Sequence, residues 1–132
     1  MNTKLKGDIG ELIVAHNLLK KGWSVSMPYG ENNRYDLIIE KDGLMKRVQV
    51  KACTPKDGVL HVNCRSSNNW SVIKYTEKDF EILAAVDLNT EIVYYISSKN
   101  INKSVFDLRL VQTKNNQKKK VNYAENFLEI KN

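Results

Sequence analysis

The chain has 132 residues, 42% of them hydrophobic and 27% charged, which suits one globular domain over 1–132 rather than a disordered or fibrous chain. No apolar run nears the ~20 residues of a membrane helix, and the charged opening MNTKLKGDIGE lacks the apolar stretch of a signal peptide. Two cysteines without zinc spacing, Cys53 and Cys64, argue against a disulfide framework or a zinc module. They suit a reduced protein of the cytoplasm with no membrane partner.

The net charge is +6, and all of that excess lies between residues 99 and 120, where seven basic side chains stand against one acid, Asp107. A one-sided field of this kind suits a polyanion, although a solvated lysine-rich loop has the same composition.

In chain order, the first segment reads as a helix. Leu5, Ile9, Leu12, Ile13, His16 and Leu19 recur at three- and four-residue steps, so this stripe is expected to face the core, with His16 a satisfied core histidine. Thr3 is the expected N-cap and Gly22 the stop. Gly7 and Gly10 each cost up to ~1 kcal/mol inside a helix, which close packing against a neighbour would explain.

Beyond Gly22 the apolar pattern becomes alternating or continuous. Strands are expected at 23–27, 35–40, 44–52, 59–65, 80–87 and 92–97. Asp42-Gly43 turns a hairpin, 66–71 is a polar loop, and Thr76 caps a helical turn through Asp79. The order implies an α/β fold, a central mixed β-sheet flanked by helices.

The hairpin of residues 34–51 carries the chemistry. With the turn at Asp42-Gly43, positions 36 and 49 pair across it. Gln49 and Lys51, two apart, share one strand face. An acid, an amide and an ammonium therefore converge, as hydrolysis of a phosphodiester requires: oxygen ligands for a hard divalent cation, and positive charge beside the phosphate. Glu11 adds a second carboxylate if the first helix packs over the hairpin. A strand-edge Asp36 paired with Arg34 or Lys51 is the plainer alternative.

Glu11, Asp36 and Gln49-Val50-Lys51 together resemble the PD-(D/E)XK nuclease superfamily. KGDIGELIVAHNLLKKGW, RYDLIIEKDG with RVQVK, and LRL with KNNQKKK resemble the group I intron-associated homing endonucleases of that superfamily. The spacing is also similar to archaeal-type Holliday junction resolvases. The resemblance covers most of the chain and implies a restriction-endonuclease-like domain and a metal-dependent DNA endonuclease. It implies catalytic roles for Glu11, Asp36, Gln49 and Lys51, with Glu11, Asp36 and Gln49 on Mg²⁺, for which Mn²⁺ substitutes. Two departures stand out: no proline precedes Asp36, and Gln49 replaces an acid. A junction resolvase, or a non-catalytic DNA-binding protein on the same fold, remain alternatives.

For contacts to double-stranded or branched DNA, Arg65, Asn68 and Asn69 offer groups suited to bases and phosphates, while Trp70 either stacks or joins a small apolar cluster. Arg109, Lys114, Lys118, Lys119 and Lys120 are candidates for phosphate contacts. His61 is a weaker candidate for the DNA side. Two strand cuts from one small domain imply a homodimer or homotetramer. Residues 92–96 and the terminal group Tyr123, Phe127, Leu128 and Ile130 are candidate interface, unless the latter packs on its own core.

Overall fold

The computed structural model describes residues 1–30, 33–67, 72–74, 78–112 and 120–131. Helix α1 (Thr3–Lys20) is followed by β1 (Ser24–Ser26), β2 (Leu37–Lys41), β3 (Leu44–Cys53), β4 (Val59–Asn63) and β5 (Arg65–Ser67). Then come β6 (Val72–Lys74), β7 (Ile82–Asp87), β8 (Val93–Ser97) and β9 (Val105–Arg109), with short 3₁₀ turns at Ser98–Asn100 and Ala124–Phe127. The main sheet has the order β1-β2-β3-β7-β8. β3 and β7 run parallel, and the other neighbours are antiparallel. β4 pairs with β9 and β5 with β6 in two separate ribbons.

The helix starts one residue before the expected cap: the Asn2 side chain accepts the Leu5 N–H at 2.8 Å. It ends at Gly22, whose φ of 91° lets the Trp23 N–H reach back to the Leu18 carbonyl. The face it buries is not the leucine stripe. Gly10, Val14 and Leu18 are buried, whereas Leu5, Leu12, Leu19 and His16 are exposed. The reason is close approach: a Cβ on Gly10 would stand 3.1 Å from the Ala52 Cβ, so the helix settles on β3 along its smallest residue. Gly7 has open space around it, so close packing does not explain that position.

Alternation along β3 divides the core. Val48 and Val50 join Leu37, Ile39, Ala84 and Val86 beneath α1. Cys53 joins Leu83, Ala85, Leu60, Val62 and Leu108 on the opposite face. All six residues of β7 are buried, as suits a central strand with both faces covered. The second face is covered by the β4–β9 ribbon and the C-terminal segment, since α1 is the only α-helix among the described residues. Ala124 and Phe127 pack into one cluster and Ile130 against the other, so the terminal apolar group lies mostly on its own core. β8 is an edge strand, yet Val93 through Ile96 are buried. Ile92 and Leu128 keep exposed apolar surface, one in each segment. Among the described residues, no helix is long and apolar enough to cross a membrane.

Candidate active site

Asp42 and Gly43 both take positive φ, 52° and 82°, as a two-residue hairpin turn with the right twist requires. That turn fixes Leu37 opposite Val48. One step further, beyond the last register pair, the Asp36 N–H donates to the Val48 carbonyl at 2.8 Å, which keeps Asp36 beside β3. β3 continues to Cys53 past the start of β2. The Val50 N–H on that side thus loses its strand partner, and the Asp36 carboxylate takes it instead, Oδ2 accepting at 2.8 Å.

The other candidates meet at this opening. Gln49 is 8% exposed, and its Nε2 donates to the Val50 carbonyl at 3.4 Å, leaving Oε1 as an acceptor. The Lys51 ammonium donates to the Arg65 carbonyl at 3.1 Å, tying β3 to the start of β5. Glu11 follows the glycine on which α1 touches β3, and its carboxylate is near enough to feel the Asp36 charge. Burial, then repulsion from Asp36, raises the Glu11 pKa above the usual carboxylate value. Asp36 is raised too, chiefly by burial, with the Val50 N–H and the Lys51 charge working against it. Burial thus disfavours the charged form of both carboxylates.

The donor set suits a hard divalent ion: two carboxylates and an amide oxygen. Among the described residues, no three His, Cys, Asp or Glu side chains gather into a metal-binding group.

A brace that the sequence does not reveal holds the segment leading into Asp36. Arg34 pairs with Asp79 at 3.2 Å, not with Asp36. Arg47 binds both carboxylate oxygens of Glu81 and donates to the Lys78 carbonyl at 2.7 Å. Its guanidinium lies over the Tyr35 ring, 6.0 Å from the centroid. The two ion pairs join residues more than thirty positions apart, beyond any local pattern.

The expected DNA contacts are dispersed. Arg65 is exposed next to the site through its carbonyl. Arg109 and Lys120 line a separate cleft with His61, whose Nδ1 stands 2.6 Å from Asp107. Asn68, Asn69, Trp70, Thr76, Lys114, Lys118 and Lys119 lie outside the described residues. Cys53 and Cys64 are small core residues; burial pushes the Cys53 thiol up to about 11.

A family profile described as PD-(D/E)XK endonuclease matches residues 1–130. The chain belongs to the PD-(D/E)XK endonuclease family. Protein 5.3 of Escherichia phage T7 is 31% identical over 87 residues, spanning 62% of this PD-(D/E)XK chain and 70% of its own length. The structure of the bacterial homing endonuclease I-Ssp6803I superposes with a TM-score of 0.73 at 31% identity, covering 90% of this chain and 84% of that one. The mixed sheet with α1 packed on it is thus a restriction-endonuclease-like PD-(D/E)XK fold.

Proposed function

We propose that the chain is a divalent-metal-dependent DNA endonuclease of the site-specific, homing type. What supports this reading is the Asp36 carboxylate held on the Val50 N–H between Gln49 and Lys51, within electrostatic reach of Glu11, on a fold similar to a homing endonuclease. Glu11, Asp36 and Gln49 would hold Mg²⁺, or Mn²⁺ in its place. A bound divalent cation supplies positive charge at the phosphate and a more acidic water.

The protein groups divide the remaining work. Asp36 is held through Oδ2 by the Val50 N–H, so its other oxygen is presented in a fixed direction. Lys51, steadied by the Arg65 carbonyl, orients the attacking water or offsets charge that develops on the scissile phosphate. Gln49 donates an oxygen without adding negative charge, so the site repels the phosphate less than three carboxylates would. Two cuts per target favour a homodimer or homotetramer, which presents two such sites.

A competition assay tests the type of enzyme. Linear duplex and a four-way junction are offered together, with and without Mg²⁺. Mg²⁺-dependent cutting of the duplex at a defined sequence supports the homing type. Preference for the junction indicates a resolvase, and binding without cutting in Mg²⁺ or Mn²⁺ indicates a non-catalytic DNA-binding protein.

A further inference from the structure

The β4–β9 ribbon buries one face and exposes the other. Leu60, Val62 and Leu108 point into the core, while His61, Asp107 and Arg109 stand on the outer side. Over that outer side opens a cleft of about 790 Å³, walled by the ribbon, the turn at Ser98–Asn100 and the segment from Lys120 to Phe127. Four cations line it, Lys99, Lys103, Arg109 and Lys120, against a single carboxylate, Asp107.

That carboxylate stands 2.6 Å from His61 Nδ1 across the ribbon, and one acid against four cations leaves the cleft with a positive excess. Arg109 is aimed: its Nε donates to the Val111 carbonyl at 3.1 Å, which sets the plane of the guanidinium and leaves its terminal nitrogens for a ligand. The wall is firm, with the Phe106 and Phe127 rings edge to face at 5.7 Å. Four like charges around one cleft repel one another, and a polyanion lying along it removes that repulsion. Cations spread over a cleft this long suit a chain of phosphates better than a single phosphate ion.

We propose that this cleft binds the phosphate backbone of a nucleic acid at a position separate from the cutting site. The inference rests on nucleic acid being the substrate. From His61 to Arg65, whose carbonyl holds Lys51, the chain spans at most ~13 Å at ~3.3 Å per residue. The cleft wall at His61 and the Lys51 anchor are thus near enough for one duplex to reach both.

Fluorescence anisotropy tests this on the full chain carrying Asp36→Asn, in EDTA, with a duplex long enough to reach both places, between about 50 and 200 mM salt. Lys99→Gln, Lys103→Gln and Lys120→Gln replace exposed side chains, so folding is not at stake. Together they should lower the slope of log K against log salt by about 2 to 3, at ~0.9 per lost contact. An equal loss of charge elsewhere, through Lys4→Gln, Lys20→Gln and Lys56→Gln, should move the slope by less than about 1. Equal effects from the two triples, or an unchanged slope in the first, would overturn the cleft while leaving the cutting site untouched. Failure of the parent protein to bind any DNA would overturn both.

Discussion

Oδ2 of Asp36 accepts the backbone N–H of Val50 at 2.8 Å, midway between Gln49 and Lys51 on the neighbouring strand. One hydrogen bond thus sets the carboxylate against the two side chains with which it is to act. It forms because β3 outlasts β2, leaving a strand donor unpaired at the place where the acid arrives.

The electrostatics at this point predict a trade between stability and function. The pKa values of Glu11 and Asp36 are raised on folding, first by burial, so their ionised forms oppose the folded state. Stability of the metal-free protein should fall as pH rises from the ordinary carboxylate range through the raised values. Glu11→Gln and Asp36→Asn should therefore raise the melting temperature at neutral pH while removing cleavage. Mg²⁺ should raise the melting temperature of the wild type more than that of either variant. A thermal scan of the three proteins with and without Mg²⁺ checks both statements.

The two helix glycines should part company on substitution. Gly7 has open space, so Gly7→Ala gains helix propensity alone, about 1 kcal/mol of stability. Gly10 lies on Ala52, so Gly10→Val must lift α1 from β3 and carry Glu11 away from Asp36. Urea unfolding should show the first variant more stable than wild type and the second less. Cleavage should fall only in the second.

Those glycines also mark what could be read from the residues. The hairpin was legible because Asp42-Gly43 admits few turns and a two-residue turn fixes the register. Strand alternation then placed Gln49 and Lys51 on one face, and the register brought Asp36 alongside β3. The helix face was not legible. Leu5, Leu12 and Leu19 outnumber the buried Gly10, Val14 and Leu18 in apolar bulk, but a glycine permits the closest approach to the sheet. The β4–β9 ribbon joins strands more than forty residues apart, and β9 lies in a segment whose charge masks its alternation. The Arg34–Asp79 and Arg47–Glu81 pairs are equally long-range and have no local signature.

The second of these pairs should set part of the acid stability. Burial works to raise the Glu81 pKa, but the hydrogen bonds from Arg47 outweigh it and hold the value below the usual range. Its contribution is present above the unfolded glutamate value and is lost as pH falls through the lower folded one. Both side chains are about a third exposed, so Arg47→Met should cost about 1 kcal/mol near neutral pH, and less in acid. Urea midpoints at two pH values measure the difference.

Gln49→Glu supplies the acid that the family name contains. A third carboxylate should tighten metal binding, shifting the Mg²⁺ dependence of cleavage to lower concentration. Unchanged Mg²⁺ dependence would place Gln49 outside the metal's ligands.

The site assignment is tested most directly by single-turnover cleavage of a duplex in Mg²⁺ by the wild type, Asp36→Ala and Lys51→Ala, with binding of the same duplex measured in EDTA. Both variants should cut at least ~100-fold more slowly while binding nearly as well, since each group acts on the scissile phosphate and not on the whole contact surface. Cutting at the wild-type rate by either variant, or a parallel loss of binding in both, would contradict the assignment.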